Sequence, residues 1–340
     1  MDNISNLMGI YKKKGICFGL GAGISVGSFI PSWEKLLQKV SYYKFKDDKI
    51  FTEFLKERYS YEGFASFLKL SSASRPALKP FTEIVREELY RDFKKAIDSS
   101  NKAEIIKHVN EKNCTLSSIG SFCACKESEK NTYTANPLVH GIINFNIDRL
   151  LRVYTAAKFN ERILRTVERA SAGRTPGKIN VYHIHGMMRF DLEATPKNES
   201  PDKLVIAEDE YYQLFNNSTM FFNYSFLYLL REYSFLFIGL SMQDQNLRRL
   251  LFLSKNEISE GYKTEKLSEN ESKEKLESVN KHYAILKEPL NKEIKNFHEI
   301  TLLGLGVNVI WVNSYDRIEH ILKDIYSVSG TWDDVYESCH

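Results

Sequence analysis

The sequence predicts an α/β protein: a doubly wound, mostly parallel sheet with an inserted helical module. Three observations lead there. Short continuous apolar runs recur along most of the chain and alternate with stretches of helical periodicity. Strands that are apolar throughout are what a parallel sheet covered on both faces requires. Most of these runs end in glycine, amide, carboxylate or imidazole residues, where open α/β sheets gather ligand groups. Residues 45–135 break the alternation, with helical patterning and no convincing strand.

The first run, Ile16–Leu20, leads into Gly21-Ala22-Gly23-Ile24-Ser25 and reads as a buried strand entering a tight turn. Glycines there let the backbone approach a ligand that a Cβ would block, and N–H groups at the next helix can hold a pyrophosphate. Such turns also arise for purely structural reasons. The pattern departs from G-x-G-x-x-G, because Val26 stands at the third glycine position. After Pro31, the residues Trp33, Leu36, Leu37 and Val40 share one helical face. Within 45–135, Phe51, Phe54, Leu55, Phe64, Phe67 and Leu68 mark helices, as do Ile84, Val85, Leu89 and Phe93. Further strands are expected at Gly141–Phe145, Asn180–Ile184, Leu204–Ala207, Phe235–Leu240, His282–Lys287 and Asn308–Val312. The most apolar stretch, Met220–Ile238, is interrupted by Asn223, Ser225, Arg231 and Glu232, so it reads as a buried helix and a strand, not a membrane span. Residues 255–281 are dense in charges of both signs and read as an exposed helix or loop. The expected organisation is a sheet domain from 1–44 and 136–330, interrupted by the helical module 45–135.

Composition narrows the function classes. Hydrophobic residues make up 43% of the chain and aromatics 13%, enough for a substantial core. Basic and acidic residues, 47 against 44, nearly cancel, which leaves no global nucleic-acid footprint. Five cysteines without regular spacing fit a reducing cytoplasm better than a disulfide framework. Cys114, Cys123 and Cys125 lack the second spaced pair of a zinc module, so no metal is expected. The N-terminus has no signal-peptide apolar region. The expected location is cytoplasmic.

Four later segments join the glycine turn as candidate site residues. Asn144-Phe145-Asn146-Ile147-Asp148 ends a strand in amides and a carboxylate; Asn146 and Asp148 serve either a ligand or the cap of the next helix. Val181-Tyr182-His183-Ile184-His185-Gly186 sets His185 at a strand end beside a glycine, as a cleft residue or as an ordinary core histidine. Phe235 to Asp244 leads an apolar strand into Gly239, Ser241 and Asp244. Asn308–Val312 ends in Asn313. Together these ends point to one crevice.

The order GAG-x-S, I-P-x-W, N-I-D, H-G and G-x-S-x-x-D resembles the sirtuin-like, Rossmann-like NAD-binding fold over about residues 15 to 325. The resemblance is closer to the SIR2-like proteins of prokaryotic antiphage defence than to the protein deacylases. The segment Ile206-Ala207-Glu208-Asp209-Glu210-Tyr211 is similar to the acidic-Tyr stretch that follows H-G in that group. Protein deacylases usually carry two Cys-x-x-Cys pairs after the catalytic histidine, whereas only Cys339 follows His185 here. The zinc module is therefore missing, and the peptide cleft it helps to build is not implied.

The resemblance implies roles. Gly21, Ala22, Gly23 and Ser25 would cradle the NAD pyrophosphate. Pro31 and Trp33 would lie near the nicotinamide ribose, with Trp33 where many sirtuins have Phe. Asn146 would position the attacking water or the ribose, within an N-I-D motif completed by Asp148; Asn144 stands where the family commonly has Thr. His185 would be the general base, directly or through a ribose hydroxyl. Gly239, Ser241 and Asp244 would line the adenosine side, with Asn313 a weaker candidate. The implied activity is NAD+ hydrolysis to nicotinamide and ADP-ribose, as the effector of an abortive-infection system, without a metal. The alternatives are an NAD-dependent deacylase or ADP-ribosyltransferase, and a non-catalytic sensor of NAD or ADP-ribose.

An unregulated hydrolase of this kind would kill its host, and the chain leaves little room for a sensor domain. Gating is therefore expected through a homo-oligomer or an activator subunit encoded nearby, for which family precedent offers a HerA-like ATPase, a short Argonaute or a nucleotide-sensing protein. No membrane or direct nucleic-acid partner is expected. Phe51, Phe54, Phe64 and Phe67 are candidate interface anchors, or else fill the module's own core.

Overall fold

A computed structural model describes residues 3–47, 49–57, 59–73, 79–97, 101–127, 132–159, 163–167, 175–190, 204–216, 221–263 and 279–336. The strands are β1 (Ile16–Leu20), β2 (Ala124–Glu127), β3 (Thr132–Ala135), β4 (Val139–Asn144), β5 (Leu164–Val167), β6 (Ile179–His183), β7 (Ser234–Ile238), β8 (His282–Lys287) and β9 (Val307–Val312). Helices α1 (Asn3–Lys14), α2 (Trp33–Phe45), α3 (Lys49–Lys56), α4 (Tyr61–Ala73), α5 (Phe81–Ala96), α6 (Lys102–Lys112) and α7 (Cys114–Phe122) precede β4, while α8 (Leu150–Phe159), α9 (Glu208–Asn216), α10 (Phe221–Glu232), α11 (Gln245–Lys263), α12 (Lys292–Leu303) and α13 (Arg317–Tyr326) follow it.

Seven parallel strands form one sheet in the order β5-β6-β4-β1-β7-β8-β9. The central strands are buried on both faces, and their period of two divides the core. Ile16, Phe18 and Leu20 of β1, with Leu236 and Ile238 of β7, point into one hydrophobic cluster. Cys17, Phe235 and Phe237 point into the other, beneath α10 and α11. At Gly19 an added Cβ would fall 2.1 Å from the Phe237 ring, so the sheet closes there only on glycine.

The helices between β1 and β4 share the first of these cores. Tyr90, Phe93, Val109, Leu116 and Phe122 pack in the same cluster as Phe18. Of the candidate interface anchors, Phe51 and Phe64 are buried, Phe54 is partly buried, and Phe67 is 40% exposed while stacking on Phe45.

Two sequence expectations about strands fail and one strand goes unanticipated, each for an identifiable reason. Leu204–Ala207 is not a strand. Leu204 makes one isolated bridge to Gly186, and the Ile206 and Ala207 N–H groups donate to Glu210 Oε2 at 2.9 and 2.7 Å, which opens α9 instead. Its apolar character reflects burial under the core. The antiparallel hairpin β2–β3 lies inside the stretch expected to lack strands. The edge strand β5 is short and interrupted by Arg165 and Thr166, so it carries no continuous apolar run. The charged segment 255–281 begins as the end of α11, and its residues 264–278 lie outside the described residues. Met220 is likewise outside them, while the rest of its stretch forms α10 and β7 as expected.

Candidate active site

The carboxyl ends of β1, β4, β6 and β7 lie side by side, and β1 is the central strand from which the chain departs to both sides of the sheet. Such a switch point opens a crevice. The glycine turn after β1 packs directly on the turn after β7. The Gly21 N–H donates to Ile238 O and the Gly23 N–H to Gly239 O, both at 3.0 Å. A Cβ on Gly21 would lie 2.5 Å from Gly239 O, and one on Gly23 would lie 2.8 Å from Gly239 Cα. These glycines allow the two loops to touch. From the turn, only Ala22 lines the cavity described below, and its N–H takes no part in these bonds.

Ser25 also turns inward. Its hydroxyl donates to Asp148 Oδ1 at 3.1 Å, and the same oxygen accepts the Leu150 N–H at 2.9 Å, capping α8. Burial pushes the Asp148 carboxyl up to about 6. Asn113, at the start of α7, donates to Ile24 O and Ser28 Oγ and so holds the glycine turn from behind.

Asn146 is held by its backbone alone. Its N–H donates to Asn144 Oδ1 at 3.0 Å, and its carbonyl accepts from His183 Nδ1 at 3.0 Å. The residue is 4% exposed, and among the described residues neither side-chain amide atom has a hydrogen-bond partner. It therefore does not cap α8, the role that Asp148 fills. Tyr90 of α5 ties the loop to the next strand end: its hydroxyl donates to Met188 O and accepts the Arg149 N–H.

His185, just past β6, has its Nε2 buried without a hydrogen bond and 3.4 Å from Asp244 Oδ2. Phe145 and Tyr211 flank the ring. Tyr211 OH donates to Asp244 Oδ2 at 3.5 Å. The loop bearing Ser241 and Asp244 is bent by left-handed backbone at Gly239 (φ 70°) and Met242 (φ 60°).

These groups surround a cavity of about 640 Å³, a size suited to a nucleotide-sized ligand. Ala22, Pro31, Trp33, Asn146, Asp148, His185, Gly239, Ser241 and Asp244 line it. Gly21, Gly23 and Ser25 support it from behind. Asn313, past the edge strand β9, is exposed and does not line it. The walls also carry Glu34, Glu62 and Glu208, and no lysine or arginine among the described residues. The sequence marks Tyr211 only as part of the acidic-Tyr segment. Glu62, Asn113 and Tyr90 carry no motif, so nothing in the sequence announces them. Among the described residues, no group of three or more His, Cys, Asp or Glu stands close enough to hold a metal, and no helix is long and apolar enough to cross a membrane.

Residues 140–303 match the family model of the SIR2-like domain. The chain carries a SIR2-like domain. Its Rossmann-like α/β sheet fits that assignment, and a SIR2-like domain suggests an NAD-related function. Within the SIR2-like domain lie Asn146, Asp148, His185, Tyr211, Gly239, Ser241 and Asp244; the glycine turn, Pro31, Trp33 and Asn313 lie outside the matched stretch. No curated protein matches the chain.

Beneath the SIR2-like site, two buried histidines make stability pH-dependent. Burial pushes His183 down to about 4, helped by the nearby Arg149 charge, and pushes His282 down to about 3. A lowered folded-state value contributes stability that is present above the unfolded value, about 6.5, and is lost as pH falls through the folded one. Asp148, raised by burial, acts oppositely: its contribution is present at low pH and lost as pH rises through about 6. His183→Gln retains a donor for Asn146 O and removes one of these groups. The stability difference between wild type and His183→Gln is expected to shift against wild type by about 1.4 kcal/mol per pH unit between pH 6 and 4. Urea unfolding across that range checks it, and a constant difference contradicts it.

Proposed function

We propose that this protein is an NAD+ glycohydrolase, releasing nicotinamide and ADP-ribose. The observation that carries the reading is Asn146: a fully donor- and acceptor-capable amide, buried, unpartnered and lining the same cavity as His185. A buried polar group without a partner costs about 1–3 kcal/mol, so it persists where a ligand supplies the missing bonds. A water molecule or a ribose hydroxyl meets that need.

The chemistry suits the walls. The nicotinamide ring is cationic in NAD+, and positive charge spreads onto the ribose as the glycosidic bond breaks. Glu34, Glu62, Asp148, Glu208 and Asp244 line the cavity, and carboxylates aimed at developing positive charge favour such a transition state. The pair of electrons in the C1′–N bond passes to the ring nitrogen, the water oxygen bonds to C1′, and the water proton passes to His185 and on to solvent. Asn146 orients the water. Among the described residues no lysine or arginine lines the cavity, so the backbone at Ala22 is the group offered to the pyrophosphate.

Such an enzyme acting as an antiphage effector must be silent until triggered, by assembly or by an activator subunit that binds the competent state better. Exposed Phe67 and Leu70 on α4 supply apolar surface for such contacts. Nicotinamide release by the purified chain is expected to be weak when dilute and to rise with protein concentration or with products of neighbouring genes. Chromatography of the reaction checks this. Full activity in a dilute monomer, unchanged by any neighbour, removes the gating model.

A further inference from the structure

Asp244 stands in the sequence as a residue for the adenosine end of the ligand, yet its carboxylate lies against His185. The two Asp244 oxygens are divided between tasks. Oδ1 accepts the Leu247 N–H at 2.7 Å in the first turn of α11. Oδ2 faces Tyr211 OH at 3.5 Å and His185 Nε2 at 3.4 Å. Burial, reinforced by the Asp244 charge, pushes the Tyr211 hydroxyl well above its ordinary range, which keeps it a donor. The loop reaches this position through left-handed Met242, a buried residue whose carbonyl accepts from Arg248 Nη1 at 3.1 Å. A non-glycine residue with positive φ is strained, and it persists where the surroundings hold it.

We propose that Asp244 is a positioning residue for His185: anchored by α11 and Tyr211, it fixes the imidazole as the Nε2–H tautomer and leaves Nδ1 as the lone pair that takes the proton. This rests on the reading of His185 as the base of NAD+ hydrolysis. A carboxylate only accepts hydrogen bonds, and a neutral imidazole has one donor and one acceptor nitrogen, so the pair is attractive only with the proton on Nε2. At 3.4 Å the contact is longer than an ordinary hydrogen bond, and catalytic contacts of this kind commonly shorten when substrate binds. When water attacks C1′ and its proton moves to Nδ1, both ring nitrogens become donors. The Asp244 charge then stabilises the imidazolium until the proton leaves to solvent.

The test is Asp244→Asn, read in two ways. Asn keeps an oxygen for the Leu247 N–H, so α11 retains its cap, while its amide can donate to Nε2 and favours the opposite tautomer. Imidazole ¹⁵N spectra, with the His185 signals assigned by their loss in His185→Gln, are expected to show Nε2–H in the wild type and a shift toward Nδ1–H in Asp244→Asn. In the activated enzyme, kcat is expected to fall about 10²-fold or more with KM for NAD unchanged. Tyr211→Phe, which removes only the brace, is expected to lower kcat less and leave KM alone. A wild-type Nδ1–H tautomer, or an Asp244→Asn enzyme with raised KM and normal kcat, would overturn the proposal. The tautomer is read without turnover, so a wild type that never consumes NAD counts against the hydrolase reading and leaves this test standing.

Discussion

Asn146→Ala and His185→Ala are each expected to lower nicotinamide release from NAD by about 10²-fold or more, through loss of water positioning in one and of the base in the other. Both are expected to leave the fold intact. Among the described residues the Asn146 side-chain amide has no hydrogen-bond partner, and its backbone anchors, Asn144 Oδ1 and His183 Nδ1, do not involve the side chain. Removing an unpartnered buried amide is nearly neutral or stabilising, so Asn146→Ala should melt at or above the wild-type temperature. That pairing of lost activity with kept stability distinguishes a site residue from a structural one. Nicotinamide release together with thermal unfolding checks it. Near-normal turnover in either variant would show that the reacting centre lies elsewhere.

Gly239→Ala is expected to destabilise the protein by about 2–5 kcal/mol, combining the left-handed backbone penalty with overpacking. Gly239 has φ 70°, and a Cβ there would lie 2.7 Å from Ile24 N and 2.9 Å from Gly21 O. Both neighbours are backbone, so neither can swing away. The two loops would have to part, which opens the cavity where Ala22 and Ser241 face it. Gly177→Ala is the control: its φ is also positive, at 74°, but among the described residues nothing lies within 4 Å of the added Cβ. It should cost only about 1–2 kcal/mol. Urea unfolding of both variants measures the difference. Equal costs would mean that the contact between the β1 and β7 turns is not the reason for glycine there.

The fold was largely legible because its strands are buried on both faces. Ile16–Leu20 and His282–Lys287 read as strands with the bounds the structure gives them. Burial without pairing misled the reading at Leu204–Ala207, where the partner that fixes the backbone is the Glu210 carboxylate, four and three residues downstream of the donors. Edge pairing was invisible for the opposite reason: β5 contacts one strand only, so its sequence needs no continuous apolar face.

The site was legible as strand ends, not as roles. Asn146 and His185 meet in one cavity because β4 and β6 are neighbours in the sheet. Gly21 and Gly23 sit where the sequence put them, but they answer to Gly239, a residue more than 200 positions away that local sequence cannot reveal. Asn313 ends a strand as expected, yet two strands separate β9 from β1, which takes it out of the cavity. Tyr211 and Glu62 come from helices whose approach to the crevice depends on packing alone.

The central claim is that this cavity breaks the glycosidic bond of NAD and passes the ribose to water. Product stoichiometry tests it most directly. The protein, concentrated or supplied with its genomic neighbours, is incubated with NAD, and all adenine- and nicotinamide-containing products are quantified together. The account predicts nicotinamide and free ADP-ribose in equal amounts, both abolished in Asn146→Ala. Intact NAD recovered at every protein concentration and with every neighbour, or nicotinamide released with the ADP-ribose attached to a protein or acyl acceptor, would contradict it.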